Sequence, residues 1–222
     1  MALAAPLPAG RERPCEVVTP PLLAPHAPAL EALLAPAREL GFTVPYEAAV
    51  HLHVDGARFR DARAFTDLVR LFANWGPVLR AALGTNPACT RLGPLSPALV
   101  DLAEQVHQVD AGRARPSWRE LQRAARATDP VKFCDLNITA LMNDAPARDT
   151  VEVRILGGSD DGQLIAERAS LVHDLLERCG RGAPLPVPPA ESTTPGAAAL
   201  ANLCADPAAA QDALRELAGG GA

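Results

Sequence analysis

The chain has 222 residues, 48% of them hydrophobic, and a formal net charge of −5 at pH 7. That length is ample for a domain with its own core, and a mild acidic excess excludes the broad basic footprint of a nucleic-acid binder. Five scattered cysteines with no CxxC pair argue against a disulfide framework and a structural zinc site.

In chain order, "MALAAPLPAG" lacks the charged start and long apolar stretch of a signal peptide, and no later run reaches membrane-spanning length. A cytoplasmic protein is the expectation. "CEVVT" at 15–19 is a β-branched run stopped by Pro20 and Pro21, hence a short strand. "HAPALEALLAPARELG" spaces Leu30, Leu33, Leu34 and Leu40 near the helical repeat and ends at Gly41, hence a helix. "AAVHLHVDG" alternates and stops at Gly56, hence a strand. Residues 61–83 put Phe65, Leu68, Val69, Phe72, Val78, Leu79 and Leu83 on the stripe of a helix that Pro77 is expected to kink or divide. Further helices are expected at 97–108 and 116–127.

"KFCDLNITALM" fits a short strand or a helical turn equally. "DTVEVRIL" is an alternating strand, and "QLIAERASLVHDLLERCG" is an amphipathic helix closed by Gly180. "GGSDDG" between them is a turn whose aspartates cap that helix. These elements predict an α+β domain over 1–182, with a curved antiparallel or mixed sheet and helices on one face. Residues 183–222 turn to Pro, Ala and Gly and read as a tail with room for one short helix near 207–217.

Alternate side chains of a strand share a face. "VHLHVD" therefore sets His51, His53 and Asp55 opposite Val50, Leu52 and Val54, and "TVEVRI" sets Glu152 and Arg154 opposite Val151, Val153 and Ile155. "CEVVT" puts Glu16 with Val18. Solvated strand faces usually carry Thr, Ser, Lys, Arg or Gln. For the histidine pair alone, a metal site and a solvated or packed pair are even readings; the Glu/Arg strand tips the balance toward function. Imidazoles and carboxylates can share a divalent cation, and a guanidinium fork suits phosphate.

Four segments, in order, resemble the amidoligase family of the glutamine synthetase and glutamate–cysteine ligase superfamily. They are "CEVVTPPL", "AAVHLHVDG", "KFCDLNITAL" and "TVEVRILGGSDDGQLI", spanning about Pro14 to Cys179. The resemblance implies an ATP-dependent carboxylate–amine ligase on a curved sheet of glutamine synthetase type, making an amide or isopeptide bond through an acyl phosphate. It further implies Mg²⁺ or Mn²⁺ held by Glu16, His51 and Glu152, with His53 beside them or as an alternative ligand, and Arg154 and Glu152 catalytic. Arg154, Asn137, Arg91 and Lys132 would face the nucleotide or substrate. The expected partner is a small molecule or peptide, with neither nucleic acid nor membrane, and a homo-oligomer or partner enzyme is allowed.

The family usually opens with a strand carrying two glutamates, which the thirteen residues before Pro14 do not supply, so an N-terminally truncated domain is expected. That departure keeps a second reading alive, a silent relative acting as a binding partner. A metal-dependent hydrolase built on the histidine pair is the third. The remaining histidines, His26, His107 and His173, have no ligand spacing. Cys134, Trp75 and Trp118 are expected in or near the core. One lysine stands against twenty arginines, so an isolated arginine says little.

Overall fold

The computed structural model describes residues 3–4, 15–45, 47–89, 92–109, 114–144, 146, 149–181, 185–188 and 195–219. The strands are β1 (Leu3–Ala4), β2 (Val17–Val18), β3 (Ala49–Asp55), β4 (Leu136–Asn137) and β5 (Thr150–Gly157). The helices are α1 (His26–Glu39), α2 (Ala62–Ala82), α3 (Pro97–His107), α4 (Trp118–Arg126), α5 (Gly162–Arg178), α6 (Pro195–Ala201) and α7 (Pro207–Gly219). The ambiguous "KFCDLNITALM" contains both of its alternatives in sequence, since a 3-10 turn over Thr139–Met142 comes directly after β4.

β5 is the middle of a three-stranded antiparallel sheet in the order β3-β5-β4. Its inward residues Val151, Val153 and Ile155 are fully buried, and they share one core with Phe65, Leu68, Trp75 and Leu79 of α2. The strand's period of two thus does what the alternation predicted: one face packs, the other carries charge. A separate two-stranded ribbon joins β1 to β2, with Leu3 opposite Val18. The strand expected at 15–19 is therefore shorter and lies outside the β5 sheet. Two prolines remove the backbone donors that would extend it, and Val17 and Val18 stay 45% and 43% exposed.

α2 starts cleanly because Asp61 Oδ1 accepts the N–H groups of Arg63 and Ala64, at 2.9 and 3.0 Å. It runs unbroken through Pro77, which does not divide it. A proline inside a helix costs about 3 kcal/mol. Trp75 and Leu79, each 1% exposed, anchor the helix in the core on both sides of it, and Pro77 itself faces solvent. α4 opens with a reciprocal cap between Ser117 and Glu120, and α5 opens on Asp161, which accepts from Gln163 and Leu164.

The segment expected as a tail packs as structure. Trp75 donates its indole N–H to the Pro186 carbonyl at 2.9 Å, and Arg70 donates to that of Leu185 at 3.0 Å. Leu185, Leu200, Leu203 and Leu214 are all buried in the same core as α2. Alanine-rich sequence looks like linker by composition, but small side chains also let helices approach closely, and the leucines supply the apolar face. Among the described residues no helix is long and apolar enough to cross a membrane.

Candidate functional site

The sheet's polar face is set by its register. Glu152, on the central strand, stands opposite His53 on β3 and opposite Asn137 on β4. Its carboxylate is therefore flanked from both sides. Asn137 donates from Nδ2 to Glu152 Oε2 at 2.7 Å, and Arg154 donates from Nη1 to Oε1 at 2.6 Å. His51 Nδ1 lies 3.0 Å from Oε1, and His53 Nε2 lies 4.0 Å from it. Glu152 and Arg154 are 13% and 11% exposed against 29% and 46% for the two imidazoles, so the acid and the guanidinium form the floor and the imidazoles the rim.

A bulge shapes this face. Leu52 pairs with Val153 and Val50 with Leu156, so Arg154 and Ile155 together stand opposite His51. Bulges break alternation. Here Ile155 and Leu156, adjacent in sequence, are both buried, and the polar row on β5 ends at Arg154.

Neighbouring groups hold the cluster in place. Asn137 Oδ1 accepts from the N–H and the hydroxyl of Thr139, at 3.0 and 2.7 Å, which turns its NH₂ toward Glu152. The Arg154 backbone N–H donates to the Asp135 carbonyl at 2.9 Å. The Asp135 carboxylate, buried, takes both Nε and Nη2 of Arg80 at 2.9 and 2.6 Å. Thr150 Oγ1 lies 3.3 Å from His53 Nδ1.

These contacts fix the electrostatics. Burial works to raise the Glu152 pKa, but the Asn137 hydrogen bond, the Arg154 charge and the two imidazoles outweigh it, and the pKa falls below the ordinary 4.5. Burial first, then the charge of Arg154, lowers the His51 pKa below 6.5 against the pull of Glu152 and Glu16. Near neutral pH the face therefore holds a carboxylate, a guanidinium and an uncharged His51. Arg154 Nε is buried with no hydrogen-bond partner among the described residues.

Not all of the expected site residues meet. Glu152, Arg154, Asn137, His51 and His53 come together. Glu16 lies just before β2, exposed and off the site sheet, and it reaches the cluster as a charge acting on His51. Lys132 is exposed, with its ammonium 5.1 Å from the centre of the Phe133 ring rather than at the cluster. Arg91 lies outside the described residues. Sequence reasoning missed Thr150, Thr139, Asp135 and Arg80. Thr150 was within reach, since alternation puts it on the Glu152 face, and the N-x-T spacing of Asn137 and Thr139 was a second available signal.

A divalent ion would find a partial set here. Among the described residues no group of three or more His, Cys, Asp or Glu side chains is placed to hold a metal ion by itself. An ion of the Mg²⁺ type takes one or two protein carboxylates and completes its shell with waters and substrate phosphates. Glu152 is the carboxylate that would enter such a shared shell, and its two oxygens are engaged by Asn137 and Arg154. Among the described residues Glu152, His51 and His53 are not placed as the roughly three protein ligands that a catalytic zinc needs.

Fold and site together define a class: an α+β protein whose small antiparallel sheet packs helices on one side and presents an ionisable cluster on the other. Residues 4–174 match the family model described as "Putative amidoligase enzyme", and the chain belongs to that amidoligase family. No curated protein and no solved structure matches it at a significant level.

Proposed function

We propose that this chain is an ATP-dependent carboxylate–amine ligase that forms an amide or isopeptide bond through an acyl phosphate. Family membership supports the general class, amide-bond ligation. The observation that carries the finer reading is Arg154: one nitrogen is fixed on Glu152 while its Nε is buried without a partner among the described residues. A guanidinium fixed beside a carboxylate on the polar face of the sheet suits a phosphoryl or carboxylate oxygen by its charge and its fork geometry.

In this reading ATP supplies the leaving group by phosphorylating the donor carboxylate, and Mg²⁺ or Mn²⁺ offsets the charge of its phosphates. Glu152 would hold the ion, with His51 and His53 beside it and Glu16 adding charge from outside the sheet. Arg154 would bind the transferring group, Glu152 would fix the guanidinium, and Asn137 would orient Glu152. The substrate would be a small molecule or peptide bearing the two reacting groups.

The test is release of ADP and phosphate by purified protein with Mg²⁺ or Mn²⁺, across a panel of amine acceptors. Turnover that needs the ion and an acceptor, and that disappears in Glu152→Ala, supports the proposal. ATP binding absent at saturating metal would remove it. A second reading, a non-catalytic family member acting as a binding partner, is favoured by one observation: both Glu152 oxygens are already engaged by side chains of the same sheet. Nucleotide binding without turnover would select it.

A further inference from the structure

A cleft of about 840 Å³ opens where α2 and α4 begin, well supplied with guanidinium groups and lined by none of the Glu152 cluster. Arg60, Arg63 and Arg115 all line it, and the carboxylate on its wall is Asp61. That carboxylate is committed, since its Oδ1 caps α2.

Each arginine is placed differently. Arg60 is fixed by Asp149 at 2.9 and 3.2 Å and sits 5.8 Å from the centre of the Trp118 ring. Arg63 has Asp67 4.0 Å away, but Asp67 Oδ2 already accepts the Gly180 N–H at 2.9 Å. The Nε of Arg63 is buried with no hydrogen-bond partner among the described residues. Arg115 is exposed and forms no ion pair among the described residues. Trp118 lines the same cleft and gives it an aromatic wall.

We propose that this cleft binds a small organic oxyanion, a carboxylate or a phosphate carried on a flat apolar body. Its volume lies within the roughly 300–1,000 Å³ of small-ligand pockets. Asp149 and Asp67 offset much of the charge of Arg60 and Arg63, so the attraction for an anion rests on Arg115, whose guanidinium forms no ion pair among the described residues. A guanidinium fork matches oxyanion geometry, and Trp118, with Arg60 over one face of its ring, gives the cleft lining an apolar surface for a flat group. The two helix starts contribute little, because Asp61 caps α2 and the reciprocal Ser117–Glu120 pair caps α4. This site is separate from the Glu152 face, and it stands whether or not the ligase reading does.

The experiment is titration calorimetry of the full chain with phenyl phosphate, benzoate and inorganic phosphate, and with benzylamine as a cation of similar shape. The expected result is binding of the aromatic oxyanions and none of benzylamine. Arg115→Ala and Arg63→Gln should each weaken binding roughly tenfold or more. Trp118→Leu should weaken the aromatic probes while sparing inorganic phosphate. The tighter of phenyl phosphate and benzoate then identifies the head group. Arg115 is exposed, so its alanine variant keeps the fold, which circular dichroism checks. No oxyanion binding at millimolar concentration, equal binding of benzylamine, or indifference to both arginine variants would each overturn the proposal. So would loss of binding in Arg154→Ala, because the probe would then occupy the sheet face.

Discussion

Arg154 reaches back along its own strand to Glu152, Nη1 to Oε1 at 2.6 Å, and so each side chain fixes the other's orientation. This pairing sets the first prediction. Arg154→Ala should lower ATP-dependent ADP release by about 10²–10³-fold, the usual loss for one well-aimed oxyanion donor. Arg154→Lys keeps the charge but loses the fork, and should recover only part of it. A coupled ADP assay on both variants, with circular dichroism to confirm folding, decides the matter; wild-type turnover in Arg154→Ala would refute the role.

Acid should destabilise the metal-free protein starting below about pH 6.5. Above that value His51 is neutral in both the folded and unfolded chain, so it contributes no pH slope. Below it the unfolded chain takes up a proton that folded His51, with its lowered pKa, resists. Stability therefore drops as pH falls. Glu152 acts in the same sense lower down: its folded pKa is depressed, so its contribution is full above the unfolded value of 4.5 and fades as pH falls through the folded one. Urea titrations in chelator at about pH 7 and about pH 5 should show a smaller drop for His51→Gln than for the parent; an equal drop would show that His51 is not responsible.

The Arg80–Asp135 pair should be asymmetric. Arg80→Ala leaves the Asp135 carboxylate, 4% exposed, with no counter-charge, and should cost about 3–5 kcal/mol. Asp135→Asn leaves Arg80, 35% exposed and able to turn to water, and should cost about 1–2 kcal/mol. Chemical denaturation of the two variants measures the difference, and equal losses would argue against the burial argument.

Two glycines should respond oppositely to alanine. At Gly157 a Cβ would sit 2.1 Å from the Gly84 carbonyl oxygen, a backbone atom that cannot swing aside. Gly157→Ala should cost about 3 kcal/mol or more. At Gly76, inside α2, a Cβ meets nothing within 4 Å. Gly76→Ala should stabilise by about 0.5–1 kcal/mol, because a helical glycine wastes backbone entropy. Melting temperatures of the pair provide the check.

Much of the architecture was readable from periodicity. β3, β5 and the helices α1 to α5 lie where alternation, apolar stripes and terminal glycines placed them, because each of those signals reports a local rule. Glu152, Arg154 and the two histidines were readable for the same reason: one face of an alternating strand is set by parity. Asn137 came from the family resemblance, since a two-residue strand carries no period. The positions that failed depend on distant partners. Nothing around "CEVVT" reveals that its mate is Leu3–Ala4, and nothing in "PGAAALANLCADPAAAQDALRELAG" shows that α2 offers it a surface. The Asp135–Arg80 brace joins residues 55 apart, beyond any local pattern.

The family match ends at residue 174, whereas the helical segment at 195–219 shares the apolar interior with α2. The unit that evolution repeats and the unit that survives in water are thus different lengths here. A fragment trimmed to the matched span would bare the hollows now filled by Leu185, Leu200 and Leu214 and strip the indole of Trp75 of its acceptor. Such a fragment should be sticky and quickly degraded, and a dead assay on it would report on the scissors rather than on the chemistry.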